Sequence, residues 1–237
     1  MLAFVIPAHN EEQLIARTIE SIHRAARAAG RPYEIFVADD ASTDRTAEIA
    51  QQLGARVVAI DRRQIAAARN AGAREALRNA DTRVLVFVDA DTILPERTLA
   101  AALDALDRGA AGGGATVQFD GSIPRWAEIL LKAMLALFRA VKWSGGCFVF
   151  CGREAFEAAG GWDETVFAAE ELLFAQSLKR HGRFVVLREP TITSGRKLRD
   201  FTAREILTSL LRVGLRGRRA VRDRSALGLW YGPRRGA

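Results

Sequence analysis

Short apolar runs and helix-spaced apolar positions alternate through the first ninety residues. Leu2–Pro7 is an apolar run of strand length, and Glu11–Ala29 spaces Leu14, Ile15, Thr18, Ile19 and Ile22 at helical intervals. Tyr33–Ala38 reads as a second strand and Asp44–Leu53 as a helix that Ser42 or Thr43 would cap. Ala55–Ile60 is a third strand, Gln64–Asn79 an Ala-rich helix, and Val84–Val88 a fourth, wholly apolar strand. Strands separated by helices predict right-handed βαβ units. The fold class is therefore α/β, a Rossmann-like, mostly parallel central sheet with helices on both faces in a single domain.

The pattern changes after residue 95. Pro95–Arg108 reads as a helix, Gly112-Gly113-Gly114 opens a strand to Phe119, and Pro124–Lys142 is a long apolar helix. Cys147–Cys151 reads as a strand, with a short helix from Arg153 and a turn at Gly160-Gly161-Trp162-Asp163. Helix Ala168–His181, strand Phe184–Leu187 and helix Glu205–Val213 follow. Arg125, Glu128, Lys132, Arg139 and Lys142 interrupt Pro124–Lys142, which argues against a membrane span. A core helix with snorkelling charges is the plainer reading, and its Trp126, Leu130, Leu137 and Phe138 also suit a bilayer interface. No repeat or Pro/Ser-rich linker divides the chain. Three stretches are expected: a ligand-binding half over 1–110, a catalytic half over 111–198, and a basic helical tail over 199–237.

In open parallel sheets, ligands collect outside the carboxyl ends of the strands. His9, Asp39, Asp40, Asp89 and Asp91 all lie just past strand ends, so one edge of the sheet gathers the polar groups. The carboxylates of Asp89-Ala90-Asp91 follow a buried strand two residues apart and repel each other unless a cation sits near them. Mg2+ or Mn2+ takes oxygen ligands and is commonly completed by substrate phosphates, which points to a metal–diphosphate site. Asp40 is placed to accept from a base or ribose, and Arg69 to supply charge to a diphosphate, with Gly72 permitting close approach.

Length and charge narrow the function classes. The 237 residues are 49% apolar and carry a formal +7, which excludes general disorder. Two cysteines, Cys147 and Cys151, without a His cluster make neither a zinc site nor a disulfide scaffold, and read as buried reduced thiols of an intracellular protein. Met1–Glu12 has no basic leader region and its apolar run ends at Pro7, so neither a signal peptide nor an anchor is expected. From Arg196 to Ala237 twelve Lys or Arg face three acids, a balance of +9 that leaves −2 for residues 1–195. Such a tail suits an anionic surface, in the first place a membrane. The basic segment lacks the interleaved aromatics of a nucleic-acid face, and no nucleic-acid partner is expected. A cytoplasmic protein, peripheral on the inner face of a membrane, is the expected setting. Thr193-Ser194-Gly195-Arg196-Lys197 reads as a basic loop that closes over a diphosphate.

Five segments in order sharpen these readings: VIPAHNEE (Val5–Glu12), VADDASTD (Val37–Asp44), ARNAG (Ala68–Gly72), VFVDADT (Val86–Thr92) and GGWDE…EE (Gly160–Glu171). Together they resemble family 2 glycosyltransferases of the GT-A fold, from about residue 3 to residue 182. The resemblance implies inverting transfer of a sugar from a nucleotide diphosphate donor to a hydroxyl acceptor; UDP is the expected nucleotide, and the basic tail with helix Pro124–Lys142 points to an acceptor that is lipid-linked, a polysaccharide being the other candidate. It implies that Pro7, Ala8 and His9 line the base pocket, that Glu11 contacts ribose or base, and that Asp40 reads the base. Asp89 matches the ribose-side acid, Asp91 the metal ligand for Mn2+ or Mg2+, and Arg69 a basic residue near the phosphates. The family's Glu-Asp before the late helix reads Glu170-Glu171 here. By register Glu171 replaces the base, with Glu170 as the orienting or alternative one. Trp162, Asp163 and Trp143 are expected on the acceptor side. A nucleotidyltransferase predicts a Gly-rich loop after strand one, which Pro7–Glu11 lacks; a nucleotide-sugar binder without transferase activity is the other alternative.

Overall fold

β1 (Leu2–Ala8) divides its side chains between two cores. Leu2, Phe4 and Ile6 pack with Ile15, Ile19 and Ile22 of α1 (Ile15–Ala29), while Ala3 and Val5 face the other side of the sheet. The computed structural model describes residues 1–121 and 146–196, with residues 205, 208, 221, 222 and 227. The elements continue as β2 (Tyr33–Asp40), α2 (Thr46–Gln52), β3 (Arg56–Ile60), α3 (Ile65–Leu77), β4 (Val84–Val88), β5 (Thr92–Ile93) and α4 (Glu96–Asp107). They end with β6 (Ala110–Phe119), β7 (Phe148–Gly152), α5 (Arg153–Ala159), α6 (Glu170–His181) and β8 (Arg183–Thr193).

The eight strands form one sheet in the order β3-β2-β1-β4-β7-β6-β8-β5. β3, β2, β1 and β4 are mutually parallel, as is the β6–β8 pair; β7 runs antiparallel to both neighbours and β5 to β8. The α/β, mostly parallel single sheet expected from the pattern is what the chain forms. β2 and β4 flank β1, so the strand order reverses there, and such a switch point opens a crevice at the carboxyl edge. Pro7 sits past the last β1–β4 pair, Val5 with Phe87, so its missing N–H costs that ladder nothing.

α1 and α4 cover one face of the sheet and α3 and α6 the other. Gly72 lets α3 lie close to β1: a Cβ there would stand 2.5 Å from Val5 Cγ1. The close approach that Gly72 permits is that of helix to sheet.

Several bounds move for local reasons. α1 starts at Ile15 because Leu14 and Ile15 donate to the Glu11 carbonyl in a tight turn, which leaves Glu11 ahead of the helix. Neither Ser42 nor Thr43 caps α2. Ser42 accepts from the Asn10 N–H and the Thr43 N–H donates to Asn10, while the Asp44 carboxylate accepts from the N–H groups of Thr46 and Glu12. β8 runs well beyond Leu187; its register against β6 shifts between Ala115–Leu187 and Val117–Thr191, where Pro190 interrupts the apolar pattern. The helix expected over Pro124–Lys142, most of that expected over Glu205–Val213, Trp143, Lys197 and most of the tail lie outside the described residues. Among the described residues, no helix is long and apolar enough to cross a membrane.

Candidate functional site

The carboxyl ends of β1, β2 and β4 bring together most of the expected residues, and strand parity decides what each does. Ile35, Val37 and Asp39 share one face of β2, and Asp40 points to the opposite face, toward α3. Asp40 is buried there. Its Oδ1 accepts from the N–H groups of Arg62 at 2.7 Å and Arg63 at 2.8 Å, and its Oδ2 from Gln64 N–H at 2.7 Å, at the N-terminus of α3. Three backbone donors take up most of the acceptor capacity of this carboxylate, so in this structure Asp40 fixes the β3–α3 loop at the N-terminus of α3 and does not stand open for a base, as the sequence reading had it. Asp39, buried beside the end of β1 and paired in register with Ala8, has an Oδ1 with no hydrogen-bond partner among the described residues. A buried carboxylate oxygen left without a donor is costly, so it favours the arrival of a hydrogen-bond donor at this strand end.

His9 completes this corner. The Arg63 guanidinium can only donate, so His9 Nε2 accepts from it, and Nδ1 carries the proton and donates to the Asp40 carbonyl at 2.9 Å. The ring is half-buried against the β3–α3 loop, beside Pro7 and Ala8.

Arg69 departs furthest from expectation. It is 2% exposed on α3 and faces away from open solvent. Nη2 donates to Asp89 Oδ1 and to the Gly146 carbonyl, each at 2.9 Å, and Nη1 to Glu170 Oε1 at 3.1 Å. The guanidinium lies 4.4 Å over the Trp162 ring, which stacks on Phe174. Burial works against its charge, yet Asp89 and Glu170 outweigh that and hold the guanidinium more firmly protonated than usual. Arg69 therefore does not contact phosphates directly; it ties Asp89, on the β4 side, to Glu170, on α6. Trp162 is likewise a buried platform and not an acceptor-side surface. Asn70 and Gln64 anchor the same turn, with Asn70 bonded to Trp162 and Glu164 and Gln64 to the Glu164 and Val166 carbonyls.

Glu170 is thus buried and engaged with Arg69. Its neighbour Glu171 lies about 100° round the helix, half-buried, with its side chain alongside Gly146, where an added Cβ would stand 3.3 Å from Glu171 Cδ. Burial, then the charge of Glu170, pushes the Glu171 carboxyl up to about 8; Asp89 adds to this, while its own backbone N–H and Arg69 oppose it. A poised carboxyl of this kind suits proton transfer near neutral pH. Cys147, buried nearby, is pushed up to about 12 by burial and Asp89, which leaves it an inert thiol.

Asp91, Glu11 and Arg196 form the other side of the rim. Arg196 donates from Nη1 to Glu11 Oε2 at 2.9 Å, from Nη2 to Glu11 Oε1, and from the same Nη2 to Asp91 Oδ2 at 3.1 Å. Thr193 adds a hydroxyl to Asp91 at 3.2 Å, and Gly195 N–H is fixed by Asp120 at 2.9 Å. The rim already seats a cationic group between carboxylates, and its ligands are oxygens, which fits a hard divalent ion. Among the described residues, no group of three or more His, Cys, Asp or Glu gathers tightly enough to hold a metal alone. Asp91, with Asp89 beside it, would share such an ion with a ligand's phosphates.

The sequence reading set Asp39 on the rim and Thr193 in the basic loop but gave neither a role of its own, and it gave none to Asn10, Gln64, Asn70 or Gly146. Parity along β2 distinguishes Asp39 from Asp40; the others act through contacts between residues far apart in the chain. Val221 and Leu227 from the tail pack on Val166 and Ala168, immediately before α6, and Phe167 N–H donates to the Val221 carbonyl. Part of the basic tail is therefore docked against the body.

The model of glycosyl transferase family 2 matches residues 3–157. An undecaprenyl-phosphate 4-deoxy-4-formamido-L-arabinose transferase of Edwardsiella ictaluri is 31% identical over 116 residues, 46% of this chain and 34% of that protein. One of the same description from Pectobacterium carotovorum is 44% identical over 48 residues, 20% of this chain and 15% of that protein. The chain thus spans about a third or less of these curated relatives. Among solved structures, S. aureus TarS 1–349 in complex with UDP-GlcNAc superposes with a TM-score of 0.64 at 17% identity, covering 91% of this chain and 66% of that one. The Pyrobaculum calidifontis mannosyltransferase PcManGT, with GDP-Man and Mn2+, gives 0.61 at 21%, covering 89% and 64%. Glucosyl-3-phosphoglycerate synthase from Mycobacterium tuberculosis, with Mn2+ and UDP, gives 0.57 at 20%, covering 100% and 81%. These neighbours share the GT-A glycosyltransferase fold. The chain, matched over most of its length by the family model and built on that sheet, belongs to glycosyltransferase family 2.

Proposed function

We propose that the protein transfers a sugar, with inversion, from a nucleotide diphosphate donor held on the rim between Asp39 and Asp91. UDP-sugars are the first candidates, since two of the structural neighbours are complexes with UDP-GlcNAc or UDP. Mn2+ or Mg2+ is the proposed cofactor, held by Asp91 and Asp89, and supplies charge to the departing diphosphate when bound. The base lies over β1 and β2 beside Pro7, Ala8 and His9, with the free Asp39 oxygen as its acceptor. Asp89 is held by Arg69 facing the ribose side, and Arg196 and Lys197 are the cationic groups that reach the phosphates. Residues 1–110 thus serve the donor, and 111–198 the acceptor and the base.

The observation that carries this reading is the Asp89–Arg69–Glu170 bridge, which fixes the donor edge against the helix that presents Glu171. With a hydroxyl acceptor, the Glu171 carboxylate takes the proton as the oxygen attacks the anomeric carbon and the carbon–phosphate oxygen bond breaks, the electron pair leaving on the nucleoside diphosphate. A second reading is favoured by the curated relatives, which are named for undecaprenyl phosphate, and it agrees with the seat of Glu171, where burial and the neighbouring Glu170 favour the protonated carboxyl. A lipid phosphate is already an anionic nucleophile; protonated Glu171 would donate a hydrogen bond to it and accept nothing. An acceptor at the bilayer also fits a peripheral, cytoplasmic-face location for the +9 segment.

The test is to incubate the protein with UDP-, GDP- and dTDP-sugars, Mn2+, and either undecaprenyl phosphate in detergent or saccharide acceptors. Transfer with inverted anomeric configuration by NMR, lost in Glu171→Gln with a hydroxyl acceptor, supports the first reading. Transfer to the lipid phosphate that survives Glu171→Gln supports the second. Hydrolysis or transfer with none of these donors rejects both.

A further inference from the structure

Arg196 holds a position that a simple phosphate-binding arginine would not need. Its guanidinium is inserted between two carboxylates from distant parts of the chain, Glu11 ahead of α1 and Asp91 after β4, and a single nitrogen, Nη2, reaches both. The pair to Glu11 uses both Nη atoms against both carboxylate oxygens, the strongest geometry available to an arginine. The side chain is 24% exposed, against 10% for Glu11 and 18% for Asp91, so this ion pair is largely withdrawn from water. The loop that carries it is fixed at three points: Ser194 N–H to the Asp91 carbonyl, Gly195 N–H to Asp120, and Thr193 hydroxyl to Asp91. Both carboxylates lie within hydrogen-bond reach of one atom, so without a cation between them they would repel each other.

We propose that Glu11 and Asp91 form a single cation seat that the Arg196 guanidinium occupies at rest, and that a divalent ion entering with a nucleotide diphosphate displaces Arg196 onto the phosphates. The inference rests on the nucleotide-sugar reading above and adds Glu11 to the groups that face the metal. A tethered guanidinium competes with a free metal ion at high effective concentration, so metal alone binds poorly. A diphosphate changes the balance by offering Arg196 an anion of its own and giving the ion further oxygen ligands. Metal and nucleotide then bind with positive coupling, and the coupling resides in one side chain. Arg196 thereby keeps the rim free of stray cations until donor arrives.

Calorimetric titration of the full chain with Mn2+ alone, with UDP alone, and with both tests this. For wild type, UDP is expected to raise Mn2+ affinity by about tenfold or more. Arg196→Gln should bind Mn2+ alone about tenfold more tightly, bind UDP–Mn2+ more weakly, and show little coupling. Arg196→Lys, which keeps the charge without the bidentate fork, should fall between, and serves if the Gln variant does not fold. Adding Glu11→Gln to Arg196→Gln should remove the gain in Mn2+ affinity. Unchanged Mn2+ affinity in both Arg196 variants overturns the proposal, because Arg196 then does not occupy the metal's seat; so does a gain that survives Glu11→Gln. If wild type binds neither UDP with Mn2+ nor GDP or dTDP titrated in its place, the functional reading itself is overturned, a result separable from the first two.

Discussion

Glu171 and Arg69 show how a few buried charges set the chemistry. The Glu171 carboxyl is raised because ionising it means placing a charge in a half-buried site beside Glu170. With a hydroxyl acceptor, kcat should climb as pH rises through about 8 and level off above it, since only the ionised form takes a proton. With a lipid phosphate acceptor the rate should instead stay flat or fall over that range. Glu171→Gln should lower kcat for a hydroxyl acceptor by ~10²–10⁴-fold. The same raised value bears on stability. Folding favours the protonated form, so that contribution is whole in acid and is lost as pH rises through about 8. Glu171→Gln should therefore raise the melting temperature at pH 8.5 by several degrees and leave it unchanged near pH 4. Arg69→Ala strands Asp89 and Glu170 and should cost about 3–5 kcal/mol in urea unfolding. At this scale the sequence was legible in residue type and less so in role. It marked Arg69, Asp40 and Asp89, but a guanidinium buried over Trp162 and a carboxylate holding three backbone N–H groups are products of contacts between distant segments.

At the scale of elements, the rim is built from strained turns. Among the described residues, four non-glycine residues have left-handed backbone, Asn10, Ala41, Arg63 and Ala169, with φ of 52°, 57°, 49° and 61°. They follow β1, β2 and β3 and precede α6, so each sits where the chain turns beside a candidate site residue. Local strain collects where over-determined geometry has a use. Ala41 makes no side-chain hydrogen bond, so Ala41→Gly should stabilise the fold by about 1 kcal/mol, read by urea unfolding. If it destabilises, the turn is not strained. The alternation of strand and helix along residues 2–88 was plain in the sequence because each buried strand is a short apolar run. The two-residue β5 and the far half of β8 were not, since two paired residues carry no periodicity and Pro190 breaks the pattern of β8.

Over the whole molecule, charge and apolar contact pull the tail in two directions. Residues 196–237 carry +9, yet Val221 and Leu227 are buried against the segment that leads into α6. A tail docked there with its arginines toward a bilayer would bring the acceptor side to the membrane. The full chain should float with phosphatidylglycerol vesicles and be released by salt, and Arg216, Arg218 and Arg219 changed to Gln should weaken binding without unfolding the protein. Flotation unaffected by salt or by these changes would remove the tail from the account. The central claim is that the rim from Asp39 to Asp91 holds a nucleotide diphosphate together with a divalent ion. Calorimetry with UDP-, GDP- and dTDP-sugars, with and without Mn2+, on wild type and Asp91→Asn tests it most directly. The account predicts Mn2+-dependent binding of at least one donor by wild type, and loss of the Mn2+ dependence in Asp91→Asn; binding that ignores both Mn2+ and Asp91, or no binding at all, would contradict it.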